Sequence, residues 1–209
     1  MSDKEPKAWT LVATLAVAGL LSGLTIVGAY QITLPQITAN KAAALQRAVL
    51  TVLPGATSLR RVEASGDALI EAPDGQGLAV YAGLDDANHL VGFAVPAEGP
   101  GFQDIIELIY GYDPVSKRIV GMRVLESRET PGLGDKIIKD NRFVSGFDAL
   151  APDPSVKLVS NGAKAADNEV DAISGATISS RAVVKIVNDS HTHWQGQLPN
   201  TWAPEADHE

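Results

Sequence analysis

The chain has 209 residues, enough for one globular domain and an anchor, and its net charge is −8. No cluster of lysine and arginine supplies a nucleic-acid footprint, so that class of partner is excluded. Cysteine is absent, which removes disulfides, thiolate metal sites and a thiol nucleophile, and is compatible with an oxidising compartment without requiring one.

Residues 1–7 are polar and contain Lys4 and Lys7. Ala8 to Tyr30 (AWTLVATLAVAGLLSGLTIVGAY) holds no charge and is long enough to cross a bilayer as a helix. Trp9 and Tyr30 stand near its two ends, where amphipathic rings favour the interface. The lysines precede the run and no basic residue follows before Asn40, which puts the N-terminus in the cytoplasm and the rest of the chain outside. The rival reading is a cleaved signal peptide. The run is longer than the usual signal core, and Val27-Gly28-Ala29 is a poor small-x-small site. A buried core helix is the weaker alternative, because a charge-free run of this length is uncommon in a soluble domain of this size.

Pro35 is expected to end the span or mark its exit. Ile37 to Leu53 carries helical periodicity, with Asn40 as a cap, and Pro54-Gly55 stops it. Residues 31–60 therefore read as a stalk or helical linker. From Ala68 the texture is β-like. Leu69–Glu71, Gly77–Leu84, Leu90–Val95 and Ile105–Tyr110 read as strands, and a turn at Asp113-Pro114 leads into a hairpin partner, Arg118–Leu125. Short turns between strands predict an antiparallel sheet flanked by helices, an α+β domain over residues 61–198. Asp140 to Phe147 is helical or irregular, and Val156 to Val159 is a short strand. Thr177 to Trp194 is an amphipathic helix, with Val183, Val184, Ile186 and Val187 inward and Arg181, Lys185 and Asp189 outward. Residues 199–209 form a polar tail, expected to be mobile.

Two segments carry chemistry. The first is Asp171-Ala-Ile-Ser-Gly-Ala-Thr-Ile-Ser-Ser180, a small, hydroxyl-rich turn opening into the last helix. A helix start leaves N–H groups without partners and a partial positive charge, which suits a phosphate. Gly175 and Ala176 allow close approach, and Thr177 places a hydroxyl where the phosphate would sit. Ser179, Ser180 and Arg181 are candidate phosphate contacts, or simply solvated helix surface. The second segment is Arg128-Glu-Thr-Pro-Gly-Leu-Gly-Asp-Lys136. Pro131, Gly132 and Gly134 force a specific loop with close backbone approach. Such a loop suits a flat ring, with Glu129 and Thr130 at its polar edges and Lys136 to neutralise its charge. An ordinary hairpin exit would explain the same Pro and Gly, and an exposed lysine is the commoner case. The loop lacks P-loop spacing, and Ile137 stands where G-x-G-x-x-G needs its third glycine.

Other candidates are weaker. His191 and His193, two apart on a helix, present their rings to different faces, so they read as a surface helix end rather than metal ligands. Asp85-Asp86 and Glu205-x-Asp207-x-Glu209 read as solvated charge. Tyr110 and Tyr112 share one strand face, where packing is the default role.

Glu129-Thr130-Pro131-Gly132-Leu133-Gly134, followed by Asp171-x-x-Ser174-Gly175-Ala176-Thr177 behind a single anchor, resembles the FMN-binding domain of the G subunit of Rnf-type electron transport complexes. The pattern is also similar to the C subunit of the sodium-pumping NADH:quinone reductase. The resemblance covers nearly the whole chain. It implies FMN held by a phosphoester on Thr177, a flavin lined by Glu129 to Gly134, and Asp171 read by a separate flavin transferase. It also implies other membrane and iron-sulfur subunits as partners, and a place in a bacterial inner membrane with the flavin domain outside. One position departs from the pattern: Ser127 stands two residues before Glu129, where the family often carries His. A threonine hydroxyl is a poor nucleophile without a base, and no histidine lies near Thr177 in sequence, although His191 and His193 could approach in space, so an external transferase fits the residues too. The chain is expected to carry electrons and to turn nothing over by itself. The competing readings are an anchored sensor that binds flavin reversibly and an anchored scaffold without a cofactor.

Overall fold

The computed structural model describes residues 7–65, 68–72 and 79–202. The expectations for residues 1–6, for the first two residues of the Gly77–Leu84 strand, for the Glu205/Asp207/Glu209 charges and for most of the tail lie outside the described residues. The chain divides into two units, Met1–Ala44 and Leu45–Glu209. Helix α1 spans Ala8–Val52. Its part in the first unit is long and apolar enough to cross a membrane. Leu15, Leu20, Leu24 and Ile26 turn outward there, as side chains meeting lipid would. Pro35 lies inside α1 rather than ending it. A proline removes one helical hydrogen bond, and a helix this long absorbs the loss.

The second unit is built on one sheet. Its strands are β1 (Ser58–Ser65), β2 (Ala68–Glu71), β3 (Ala79–Leu84), β4 (Leu90–Pro100), β5 (Ile105–Asp113) and β6 (Arg118–Ser127). They lie in the order β2-β1-β3-β4-β5-β6, with every neighbouring pair antiparallel. Two short helices follow, α2 (Lys136–Lys139) and α3 (Asn141–Ser145). A small parallel pair comes next, β7 (Lys157–Val159) with β8 (Glu169–Asp171), and then α4 (Thr177–Trp194). The expected α+β architecture, an antiparallel sheet with flanking helices behind one apolar N-terminal helix, is borne out. Strand β7 falls within the expected Val156–Val159 strand, whereas β1 and β8 are additions that the sequence pattern did not announce.

Alternation along the strands sends side chains to two faces. On one face Val80, Phe93, Val95, Ile106, Leu108 and Tyr110 pack against Val183, Ile186, Val187 and Trp194 of α4, forming the main core. On the other face Ala94 and Ile109 meet Val49, Val52 and Leu53 from the end of α1. Full burial of such side chains is worth about 1.5–3 kcal/mol each. The sheet makes room for that helix end with glycines. A β-carbon at Gly83 would lie 2.7 Å from Leu53 Cδ1, and one at Gly121 3.3 Å from Val52 Cα. At Gly111 it would overlap the carbonyl oxygen of Val52. Residues 45–53 are thus part of the core of the second unit, while α4, clamped across the opposite face, aims its N-terminus at the loops beyond β4 and β6.

Candidate functional site

The 171–180 segment is held from several sides. Strand β8 ends at Asp171, whose Oδ1 accepts hydrogen bonds from Ala163 N (2.9 Å) and Lys164 N (3.0 Å). Asp171 therefore fixes the loop that precedes β8. Ala172 N donates to Val159 O at 2.8 Å, which carries the chain past β7. Gly175 has φ +81°, a left-handed value that a side chain rarely adopts, and it turns the chain sharply into α4. Ser180 Oγ accepts from Ile173 N (3.2 Å) and donates to Ala176 O (2.9 Å), bracing that turn from beneath. Asn161 Nδ2 donates to Ser174 Oγ (3.0 Å), and Arg142 Nη2 donates to Asn161 Oδ1 (2.9 Å).

Thr177 is the first residue of α4, and the Ala176 before it provides no side-chain cap. Such an end presents donors and positive potential to an incoming anion. The Thr177 side chain is exposed, and its hydroxyl makes no hydrogen bond among the described residues.

The 128–136 loop reaches the same place through one carboxylate. Glu129 is buried, with Oε1 accepting from Phe102 N (2.8 Å) and Gln103 N (3.0 Å) and Oε2 accepting from Ser179 Oγ. One side chain thereby joins the β4–β5 loop, its own loop and the first turn of α4. Thr130 Oγ1 donates to Gln103 Oε1 at 3.0 Å, adding a second tie. Gly134 must be glycine for this: a β-carbon there would stand 2.6 Å from Glu129 Oε2 and 2.8 Å from Ser179 Oγ. Gly132 N donates to Asp135 Oδ1 at 2.8 Å, which closes the turn.

Between these segments lies a cleft of about 330 Å³, lined by Phe102, Glu129, Thr130, Leu133, Gly134 and residues 175–179. Phe102, Leu133 and Ile178 are more than half exposed and give it apolar walls. Thr177 also borders a second cleft of about 240 Å³ with polar walls, where Asn161, Ser174 and Arg181 lie. Eight of the residues singled out in sequence line the larger cleft: Glu129, Thr130, Leu133, Gly134, Gly175, Ala176, Thr177 and Ser179. Ser174 sits in the smaller one. Lys136 Nζ faces Gly175, 3.9 Å from where its β-carbon would be. Pro131 and Gly132 shape the turn outside the cleft, and Asp171 lies behind it. The sequence reading missed Phe102 and Gln103. They follow Gly101, where a β-carbon would strike the Glu129 carboxylate.

The opposite end of α4 differs from expectation. His191 is buried rather than at a surface, its ring 5.2 Å from that of Tyr112 and its Nε2 3.6 Å from Asp153 Oδ1. It lies about 21 Å along the helix from Thr177, at 1.5 Å per residue, and so does not approach that hydroxyl. Burial lowers its pKa below the ordinary 6.5, against the opposing pull of Asp153. The unfolded chain therefore takes up a proton near pH 6.5 that folded His191 resists, and stability falls as pH drops through that value. Denaturant midpoints at pH 7.5 and 5.5 should show this loss, and a smaller loss in His191→Phe. Tyr110 is a core residue whose hydroxyl meets Ser190 Oγ at 3.2 Å, and burial pushes its phenol above the ordinary range.

Residues 101–191 match the family model of the FMN-binding domain. The chain is 33% identical, over 87% of its length and 89% of the relative's, to the G subunit of the ion-translocating oxidoreductase complex of Methanosarcina acetivorans. It is 27% identical, over 90% of its length and 92% of the relative's, to the G subunit of the proton-translocating ferredoxin:NAD(+) oxidoreductase complex of Clostridium ljungdahlii. Among solved structures it is similar to NqrC of Shewanella oneidensis, with a TM-score of 0.60 and 21% identity over 72% of this chain and 91% of that one. The C subunit of the Na(+)-translocating NADH-quinone reductase of Parabacteroides distasonis aligns with a TM-score of 0.55 and 21% identity, over 68% of this chain and 77% of that one.

Proposed function

The chain belongs to the family of G subunits of ion-translocating oxidoreductase complexes, and from that premise we propose that it carries FMN as a phosphoester on Thr177 and relays electrons between other subunits. The observation that carries this reading is the convergence of the two segments. One ends at Lys136 and the other begins at Asp171, and both line one cleft bordered by an exposed threonine hydroxyl with no hydrogen bond among the described residues.

The residues present fit an FMN group. The uncapped start of α4 offers N–H donors to a phosphate, and the Lys136 ammonium beside Gly175 adds positive charge. Phe102, Leu133 and Ile178 offer apolar surface to a planar ring, while Gly134 and Gly175 keep side chains out of its way. A bound flavin supplies reversible electron uptake, and the protein sets its position and surroundings. The ties through Glu129, Thr130 and Ser180 hold the cleft in shape before any ligand arrives, which lowers the ordering cost of binding. An ester at Thr177 then keeps the cofactor from leaving between turnovers. His191 and His193 lie at the far end of α4, so neither is on hand to activate Thr177, and attachment falls to a separate flavin transferase. Asp171 is engaged with the 163–164 backbone, so it serves that enzyme by presenting the 172–177 turn in a fixed shape.

The apolar part of α1 serves as a single membrane anchor, with Lys4 and Lys7 on the cytoplasmic side and the flavin domain outside. Iron-sulfur and membrane subunits of the same complex are the partners. The test is made on the full-length chain expressed with a flavin transferase. A fluorescent yellow band should survive denaturing electrophoresis, and intact mass should rise by one FMN residue. A chain that runs colourless and unmodified under those conditions would defeat the proposal. Pigment released on denaturation would favour the reversible sensor instead.

A further inference from the structure

Glu129 brings more to the cleft than its shape requires. A neutral side chain of the same length could accept the Phe102 and Gln103 N–H groups equally well. Instead a carboxylate is buried there, and among the described residues no lysine or arginine pairs with it. Arg128, its neighbour in sequence, points to Asp104 and Glu126. Lys136 faces Gly175. All three hydrogen bonds to Glu129 come from neutral donors. Burying charge is costly unless donors replace the lost water. The chain meets that cost with two backbone N–H groups, a serine hydroxyl and two glycines. A β-carbon at Gly101 or at Gly134 would strike one or the other carboxylate oxygen. Three separate segments are thus shaped around one negative charge in the wall of the cleft.

We propose that Glu129 is a positioning residue with an electrostatic role: it preforms the cleft and holds a flavin bound there at a more negative reduction potential than a neutral residue would. This rests on the reading of the cleft as an FMN site. Reduction brings electrons into the cleft, and a fixed negative charge in a wall shielded from water opposes them more strongly than a solvated one does. The ester at Thr177 fixes where the flavin is tied, and Glu129 sets how readily it accepts electrons.

Glu129→Gln separates charge from shape. Its amide oxygen accepts the two backbone N–H groups, and its nitrogen donates to Ser179 Oγ, which can accept as well as donate. The full-length chain, flavinylated by co-expression with a transferase, is titrated spectroelectrochemically in detergent. At the wild-type midpoint, where reduced and oxidised flavin are equal, the Gln variant should show roughly a three- to tenfold excess of the reduced form. Glu129→Asp keeps the charge and should stay within about twofold of wild type, a difference below 0.5 kcal/mol. Ser179→Ala removes one neutral donor but not the charge and should shift the ratio the other way, toward the oxidised form. This variant leaves the backbone ties in place and carries the test if Glu129→Gln does not fold. A flavinylated Gln variant with an unchanged ratio, or a Ser179→Ala ratio equal to wild type, overturns the inference while leaving the FMN site standing. A wild-type chain that carries no flavin overturns both.

Discussion

Replacing Thr177 by alanine should leave a chain that folds as before and keeps no flavin through denaturation. The side chain is exposed, opens α4 and makes no hydrogen bond among the described residues. Its loss should change stability by no more than about 0.5 kcal/mol, since alanine is a better helix former than threonine. The adduct, by contrast, should fall from nearly complete to background in intact mass spectra and in-gel fluorescence. Neighbouring hydroxyls should not substitute. Ser179 is committed to Glu129, Ser180 to the 173–176 turn, and Ser174 receives Asn161. Thr177→Ser restores a hydroxyl at the same place without the methyl group, and should restore part of the adduct. An alanine variant that still carried FMN on the 171–180 peptide would end the assignment of position 177. Adduct lost together with the folded state would point instead to a packing role that the exposed side chain gives no reason to expect.

Gly111→Ala should be the most damaging of the conservative changes in the domain, costing about 3 kcal/mol. The added methyl group would overlap the carbonyl oxygen of Val52. Overpacking is often relieved when a neighbouring side chain changes rotamer, but here the obstacle is backbone and the helix end must move. That movement would uncouple Val49, Val52 and Leu53 from Ala94 and Ile109. Gly162→Ala is the control. It adds the same methyl at φ +79° in open space, and should cost about 1 kcal/mol through backbone strain alone. Denaturant unfolding of both variants, followed by the fluorescence of Trp194 and Trp202, would compare them directly. Equal losses would mean that the sheet yields where the structure says it is full.

Much of this was legible in the residues, for identifiable reasons. Helix α4 was legible because Val183, Val184, Ile186 and Val187 recur at helical spacing while charges fill the gaps. The strands from β3 to β6 were legible as β-branched runs broken by Gly, Asp and Pro, although β4 extends five residues past Val95. Strand β1 was not legible. Its sequence, SLRRVEAS, is mostly polar, and its hydrogen bonds come from pairing with β2 and β3 rather than from any local preference. Strand β7 was legible within Val156–Val159, but its parallel partner β8, only three residues long, is too short to leave a period.

The two site segments were legible as motifs, but what joins them was not. Glu129 was placed at a ring edge, whereas both of its oxygens are occupied by protein donors. Its partners Phe102, Gln103 and Ser179 lie 26 to 50 residues away in the chain, beyond the reach of any local pattern. Pro35 does not break the helix, because α1 runs past it.

The place where α1 passes into the second unit has a practical bearing on how this domain is isolated. A cut made at the first β-residue, as domain boundaries are usually drawn, would delete Val49, Val52 and Leu53 and leave an open slot across the glycines of the sheet. The exposed slot would be an invitation to aggregate. A water-soluble fragment should therefore begin between residues 31 and 44, keeping the final turns of a helix whose earlier turns are apolar and long enough to cross a membrane.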